Sequence, residues 1–322
     1  MMKGALCIGI DDYPQSPLHC CVNDATCISE LLIKNGDGSP NFDIDLKTNI
    51  KSRTVLEDLI TKLFSRDCDT VLLFFSGHGF FNERGGFIVT PDFKKYDEGV
   101  RMDDILNLAN NSKIKNKIII LDCCHSGAMG TPSISDNKSY LSEGLSILTA
   151  SRDIEVAVEK DEHGVFTNLL LEALKGGAAD LRGDISPGGI YSFIDRSLGA
   201  LCQRPVFKAN ITRFVSLRSV KPQVSVDILR SIIEYFPNLT DEFPLDPSFE
   251  DTNSLDEKHE VIEPYAIEEN VTIFKKLQKL QSIGLVVPCE ADYMYFAAMK
   301  SKSCKLTPLG HHYWKLAKYN RI

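Results

Sequence analysis

Apolar residues fall along this chain in two alternating rhythms: short unbroken runs and stripes at helical spacing. Residues 5–10 (ALCIGI), 70–76 (TVLLFFS), 117–122 (KIIILD) and 145–150 (LSILTA) are such runs, the signature of strands buried on both faces of a sheet. Between them, residues 23–34, 52–65, 102–109, 165–174 and 190–201 place apolar side chains every third or fourth position and so predict helices. In 52–65, Ser52 is the expected N-cap, and Val55, Leu59 and Leu63 are the expected buried face. Residues 45–50 read as a further short strand. A Gly-rich hairpin ends at 86–90, and 204–217 alternates like a last strand or pair of strands. Strands alternating with helices predict an α/β domain over residues 1–218, a mainly parallel central sheet flanked by helices.

The pattern then changes. Between Phe236 and Asn270 there are eleven acidic residues and one basic one, Lys258, together with four prolines. Residues 219–270 are therefore expected to be a solvated acidic connector. From Val271 onward the balance reverses, with nine Lys and Arg against Glu290 and Asp292. Residues 274–283 predict a helix with Phe274, Leu277 and Leu280 on one face, and 285–287 a strand. Residues 294–299 and 304–306 read as a hairpin, and 307–318 as a last helix opened by Pro308. Helix, hairpin, helix with basic residues is the outline of a small winged-helix-like domain over 271–322, with Tyr293, Tyr295 and Trp314 in its core.

Composition changes this picture little. With 43% hydrophobic and 25% charged residues the chain is that of an ordinary globular protein. A net charge of −8 speaks against nucleic acid as the partner of the whole chain. The first apolar run meets Asp11 and Asp12 at once, so no signal peptide is expected, and no stretch approaches the ~20 apolar residues of a membrane helix. Ten cysteines without an export signal imply reduced thiols and a cytoplasmic location. The set Cys289, Cys304, His311 and His312 lacks a metal-ligand spacing.

Candidate chemistry sits where two of the apolar runs end. Residues 69–79 (DTVLLFFSGHG) break into Ser76, Gly77, His78 and Gly79. Residues 117–127 (KIIILDCCHSG) break into Asp122, Cys123 and Cys124. In an open parallel sheet, chemistry lies just past the carboxyl ends of the strands. If the two are neighbours, a thiol and an imidazole share one sheet edge, as cysteine nucleophile chemistry requires.

With SGHG at 76–79, DCCHSG at 122–127 and CVNDA at 21–25, the chain resembles the caspase-like cysteine peptidases, and among them the metacaspases and bacterial orthocaspases. The stretches TASRDIEVAVE (149–159) and GVFTNLLLEALKG (164–176) resemble the small-subunit half of that family, and the likeness covers about residues 3–217. The resemblance implies a caspase-like sandwich. It implies Cys124 as nucleophile and His78 as general base and acid, with the N–H groups of Gly79 and Cys124 as oxyanion hole; Cys123 is expected to pack underneath. It also implies an acidic pocket at Cys21, Asp24, Ser76 and Asp122, which takes the side chain before the cut. Two carboxylates there would hold a guanidinium or ammonium, so the expected substrate is a protein cut after Arg, with Lys second.

Metacaspases often use calcium. Asp92, Asp103 and Asp104 match the acidic residues that hold it, whereas the fourth family position falls near Thr131, which is not acidic. The peptide chemistry itself needs no cofactor. The loop 126–144 aligns with the linker that this family cuts on activation, and Lys138 is its one basic residue, the expected site of self-cleavage. The C-terminal part lies outside the resemblance. It is expected to dock a regulatory protein or, second, to bind nucleic acid through Lys275, Lys276, Lys279, Lys300, Lys302 and Lys305; no membrane partner is expected. The rival from another class is a catalytically inactive adaptor, against which the two intact motifs speak.

Overall fold

The computed structural model describes residues 2–94, 97–123, 140–150, 159–160, 163–198, 204–256 and 260–322. They divide into two compact units, residues 1–221 and 222–322. Among the described residues no helix is long and apolar enough to cross a membrane.

The first unit is built on a six-stranded sheet. Its strands are β1 (Lys3–Gly9), β2 (Asp43–Thr48), β3 (Thr70–Ser76), β7 (Asn116–Asp122), β8 (Leu145–Thr149) and β12 (Val206–Asn210). Their order is β12-β8-β7-β3-β1-β2, parallel except for the antiparallel edge strand β12. All seven residues of β3 are buried, as a run apolar from end to end requires. After β3 comes a small antiparallel sheet of β4 (Gly79–Asn82), β5 (Gly85–Ile88) and β6 (Val100–Arg101). Two-residue ladders pair β9 (Glu159–Lys160) with β10 (His163–Gly164), and β11 (Asp184–Ile185) with β13 (Arg218–Ser219). The β11–β13 ladder ties the chain down past residue 218 and places the end of this unit at 221.

Helices cover both faces of the sheet. On one face α1 (Cys21–Ile33), α4 (Val165–Glu172) and α5 (Pro187–Ser197) bury Ala25, Ile28, Leu170, Ile190 and Ile194 against Cys7, Leu72, Phe74 and Ile120. On the other, α2 (Arg53–Phe64) and α3 (Met102–Asn111) bury Leu56, Ile60 and Ile105 against Leu6, Leu73, Phe75 and Leu121. The α/β reading of this domain therefore holds. In α2 the expected face is corrected in part: Leu63 is buried and Leu59 packs partly buried against the core as expected, but Val55 does not. Val55 is 51% exposed, and the buried stripe is Leu56, Ile60, Leu63 and Phe64. Both stripes satisfy the helical period, and only the position of the sheet chooses between them.

The second unit overturns two expectations. The segment read as an acidic connector is folded: α6 (Val226–Arg230), α7 (Ile232–Tyr235), β14 (Glu242–Pro244) and 3₁₀ turns at Pro247–Phe249 and Asp251–Asn253. Its acids and amides act locally. Asp246 and Glu250 cap the two turns, and the Asn253 Nδ2 donates to the carbonyls of Pro247, Ile262 and Pro264. Polar composition was thus the mark of a capped irregular segment around buried Phe236, Leu245 and Phe249, not of a solvated one. The second correction concerns the wing. After α8 (Glu268–Ser282) and β15 (Val286–Pro288), residues Met294–Met299 form a helix, α9, so the expected hairpin does not exist. Met294, Ala297 and Ala298 are the buried side chains, at spacing three and four, not two. The strand β16 (Ser303–Leu306) instead lies between β14 and β15, and α10 (Pro308–Lys318) closes the unit. Tyr293 and Tyr295 are exposed rather than core, whereas Trp314 donates from Nε1 to the Phe236 carbonyl.

Candidate active site

Parallel pairing brings three strand ends into register: Gly9 of β1 stands opposite Ser76 of β3, which stands opposite Asp122 of β7. The start of α1 is drawn against this edge. Asp11 accepts hydrogen bonds from the N–H groups of Cys21 (2.9 Å) and Val22 (3.1 Å), capping the helix and adding a negative charge where its dipole favours one. Gly9 permits the approach, since a Cβ there would lie 2.1 Å from the Cys21 carbonyl oxygen. Sequence reasoning missed Asp11, because ten residues separate it from the helix it caps.

The four residues expected as a pocket are brought together. Asp24, only 1% exposed, accepts from the Ser76 hydroxyl at 3.0 Å through Oδ2. Asp122, 7% exposed, accepts from the Thr167 hydroxyl of α4 at 2.6 Å. A Cβ on Gly164 would come within 3.0 Å of Asp122 Oδ2 and 3.8 Å of Asp24 Oδ2, so both carboxylates converge on that glycine. Burial pushes the Asp122 carboxyl up to about 7, opposed by the Thr167 donor and reinforced by the Asp24 charge. Burial also raises Asp24, against the lowering effect of His163, Ser76 and the Gly164 N–H. The Cys21 thiol is raised by burial and by Asp11, Asp24 and Asp122, so it is no thiolate donor. Among the described residues neither Asp24 nor Asp122 is paired with a Lys or Arg.

His78 leaves β3 through Gly77, where a Cβ would lie 2.6 Å from the Tyr13 hydroxyl. That hydroxyl accepts from the His78 backbone N–H at 3.0 Å and donates to the Val89 carbonyl at 3.1 Å. The Tyr13 ring meets the His78 ring edge-on at 4.5 Å. The His78 Nε2 faces the Ser16 carbonyl at 2.7 Å, which fixes the proton on that nitrogen and leaves Nδ1 as the other one. The ring borders an aromatic cavity of about 440 Å³, formed with Tyr13, Phe80 and Phe93. The Val89 N–H donates to the His78 carbonyl beside the Gly79–Ile88 pair, which makes that pair a non-hydrogen-bonded one. The Gly79 N–H is therefore turned away from β5 on an edge strand and is not used by the ladder.

Cys123 is buried in the core cluster with Leu121, as expected of the residue packing underneath. Cys124 and Lys138 lie outside the described residues. Two of the three expected calcium ligands, Asp92 and Asp103, have other partners. Asp92 accepts from the Arg53 N–H at the start of α2 and from the Thr90 hydroxyl, the capping role expected of Ser52. Asp103 faces Arg101 at 3.3 Å, and with Asp104 it occupies the first turn of α3. Among the described residues no three His, Cys, Asp or Glu side chains converge as a metal cage, and no step is assigned to the ion. Of the six lysines expected to meet a partner, Lys275 is paired with Asp251 and Lys302 with Glu290.

The family model described as the caspase domain matches residues 2–215. Among solved structures, caspase-1 from Spodoptera frugiperda is 16% identical with a TM-score of 0.50, covering 70% of this chain and 92% of its own. A protein from Geobacter sulfurreducens is 18% identical with a TM-score of 0.48, covering 69% of this chain and 98% of its own. No curated protein matches. A match spanning about two-thirds of the chain, on a mostly parallel six-stranded sheet flanked by helices, settles its membership: this chain belongs to the caspase-domain family of cysteine peptidases.

Proposed function

We propose that this protein is a cysteine endopeptidase that cuts after Arg, and after Lys second. The Cys124 thiolate attacks the scissile carbonyl and forms an acyl-enzyme. His78 protonates the departing amine, then activates the water that releases the acid. The N–H groups of Gly79 and Cys124 receive the developing oxyanion, and the turned-out Gly79 N–H suits that role. Asp24 and Asp122 hold the cation of the residue before the cut. The observation that carries the reading is this acid pair. Two buried carboxylates, unpaired with Lys or Arg among the described residues, stand at the sheet edge that also bears His78. An aspartate side chain would be repelled there.

The test is hydrolysis of matched fluorogenic peptides ending in Arg, Lys or Asp, by the parent and by Cys124→Ala. Arg cleavage that is lost in the variant supports the reading; preferred cleavage after Asp, or activity retained by Cys124→Ala, refutes it. The second unit is the regulatory part of this proposal, with a protein partner first and nucleic acid second. A gel shift that weakens with salt would reverse that order.

A further inference from the structure

Asp24 already has a resident partner. The imidazole of His163, from β10, places Nδ1 2.8 Å from Asp24 Oδ1, while Oδ2 takes the Ser76 hydroxyl. Asn23 Nδ2 stands 3.5 Å from the same ring. The Asp24 side chain is 2% exposed and that of His163 17%, so of the two partners the ring is the more accessible to solvent. With Asp24 ionised, Nδ1 carries the proton and donates.

We propose that His163 is a built-in stopper of the acidic site: its ring holds the oxygen of Asp24 that a substrate guanidinium would take, and the cation enters only as the ring swings out. The proposal rests on the reading of Asp24 and Asp122 as the cation site. His163 is suited to this by its position. It belongs to a two-residue ladder outside the main sheet, and rotation about χ1 moves the ring without disturbing the β9–β10 pairing or the start of α4. The exchange is also chemically even-handed. One N–H from the imidazole gives way to the two parallel N–H groups of a guanidinium, and the released ring is hydrated rather than left buried. Asp122, whose Thr167 donor stays in place, supplies the second carboxylate throughout. A stopper of this kind keeps Asp24 Oδ1 supplied with a donor when no substrate is bound, beside the Ser76 hydroxyl on Oδ2. It also weakens substrate binding, by the reciprocal of the fraction of time the ring is out of place.

Removing a partly exposed charge-assisted contact of this kind is expected to tighten cation binding about tenfold. The protein to use is full-length Cys124→Ala, which binds without turnover, titrated calorimetrically with Nα-acetyl-arginine amide. His163→Ala in that background should bind about tenfold more tightly, and His163→Gln, which keeps a donor toward Asp24, should fall between. In the unsubstituted ring, ¹⁵N resonances of His163 should move to those of a solvent-exposed histidine as the probe is added, a change that a purely structural histidine would not show. Equal or weaker binding by His163→Ala overturns the stopper alone and leaves the acidic site standing, as does a ring that stays on Asp24 in the bound state. Binding by neither the parent nor the variants overturns both the stopper and the Arg reading.

Discussion

Asp122→Asn isolates what the acid pair costs the fold. The side chain keeps its shape and can still accept from Thr167, but it no longer titrates. In the parent, burial holds a carboxyl with an ordinary value of 3.8 at about 7. Between those values the folded protein keeps a proton that the unfolded chain has lost. Stability contributed by this group is therefore complete below pH 4, falls as pH rises to 7, and is level above that. At 1.36 kcal/mol per unit of pKa, the loss is on the order of 4 kcal/mol for a group buried as deeply as this one. The variant should thus match the parent near pH 4 and exceed it by up to that amount at pH 8. The measurement is amide exchange in β3 and β7, corrected for intrinsic rate, because it reports opening of the first unit without contribution from the second. A difference between variant and parent that stays constant from pH 4.5 to 8, or shrinks as pH rises, would refute the argument. The same ionisation predicts that kcat/KM on Arg peptides rises through pH 7 in the parent and that the variant loses this limb.

Tyr13→Phe leaves the His78 N–H without its acceptor and should lower kcat by about tenfold to a hundredfold at unchanged KM for Arg peptides, since an unsatisfied buried donor costs about 1–3 kcal/mol. Leu56→Ala should cost about 2–5 kcal/mol by denaturation while Val55→Ala stays within about 0.5 kcal/mol, and the reverse order would restore the discarded face of α2. Phe249→Ala should destabilise the second unit by about 3–5 kcal/mol, read by fluorescence of Trp314, the only tryptophan in the chain; a smaller effect would reinstate a solvated connector.

What could be read from the sequence follows the range of the interactions. The strands β3 and β7 were legible because a run apolar on every position admits only a doubly covered strand, and their polar ends placed His78 and Asp122 on one edge. Where two periods compete over few residues, reading failed: residues 294–299 satisfy both, and only burial of Met294 and Ala297 on one side decides for a helix. Composition failed differently over 236–270, where acids cap turns instead of facing water. His163 was invisible for another reason. It meets Asp24 across 139 positions of sequence, on a two-residue ladder that no periodicity announces.

The acid pair also explains why its supports come from so many elements. Ser76 closes β3, Thr167 and Gly164 open α4, and His163 stands before it, so each carboxylate is held by donors from a different part of the chain. None of these donors neutralises both acids, and the Asp24 charge works against ionisation of Asp122. A fold selected for stability alone would gain by losing either acid. The repulsion makes a further prediction. At pH 8, Asp24→Asn and Asp122→Asn should each relieve the other group, so their effects on stability should sum to more than the double variant shows. Strictly additive effects would mean that the two carboxylates do not feel each other and could not share one guanidinium; a shortfall of about 1 kcal/mol or more is what a shared cation site requires.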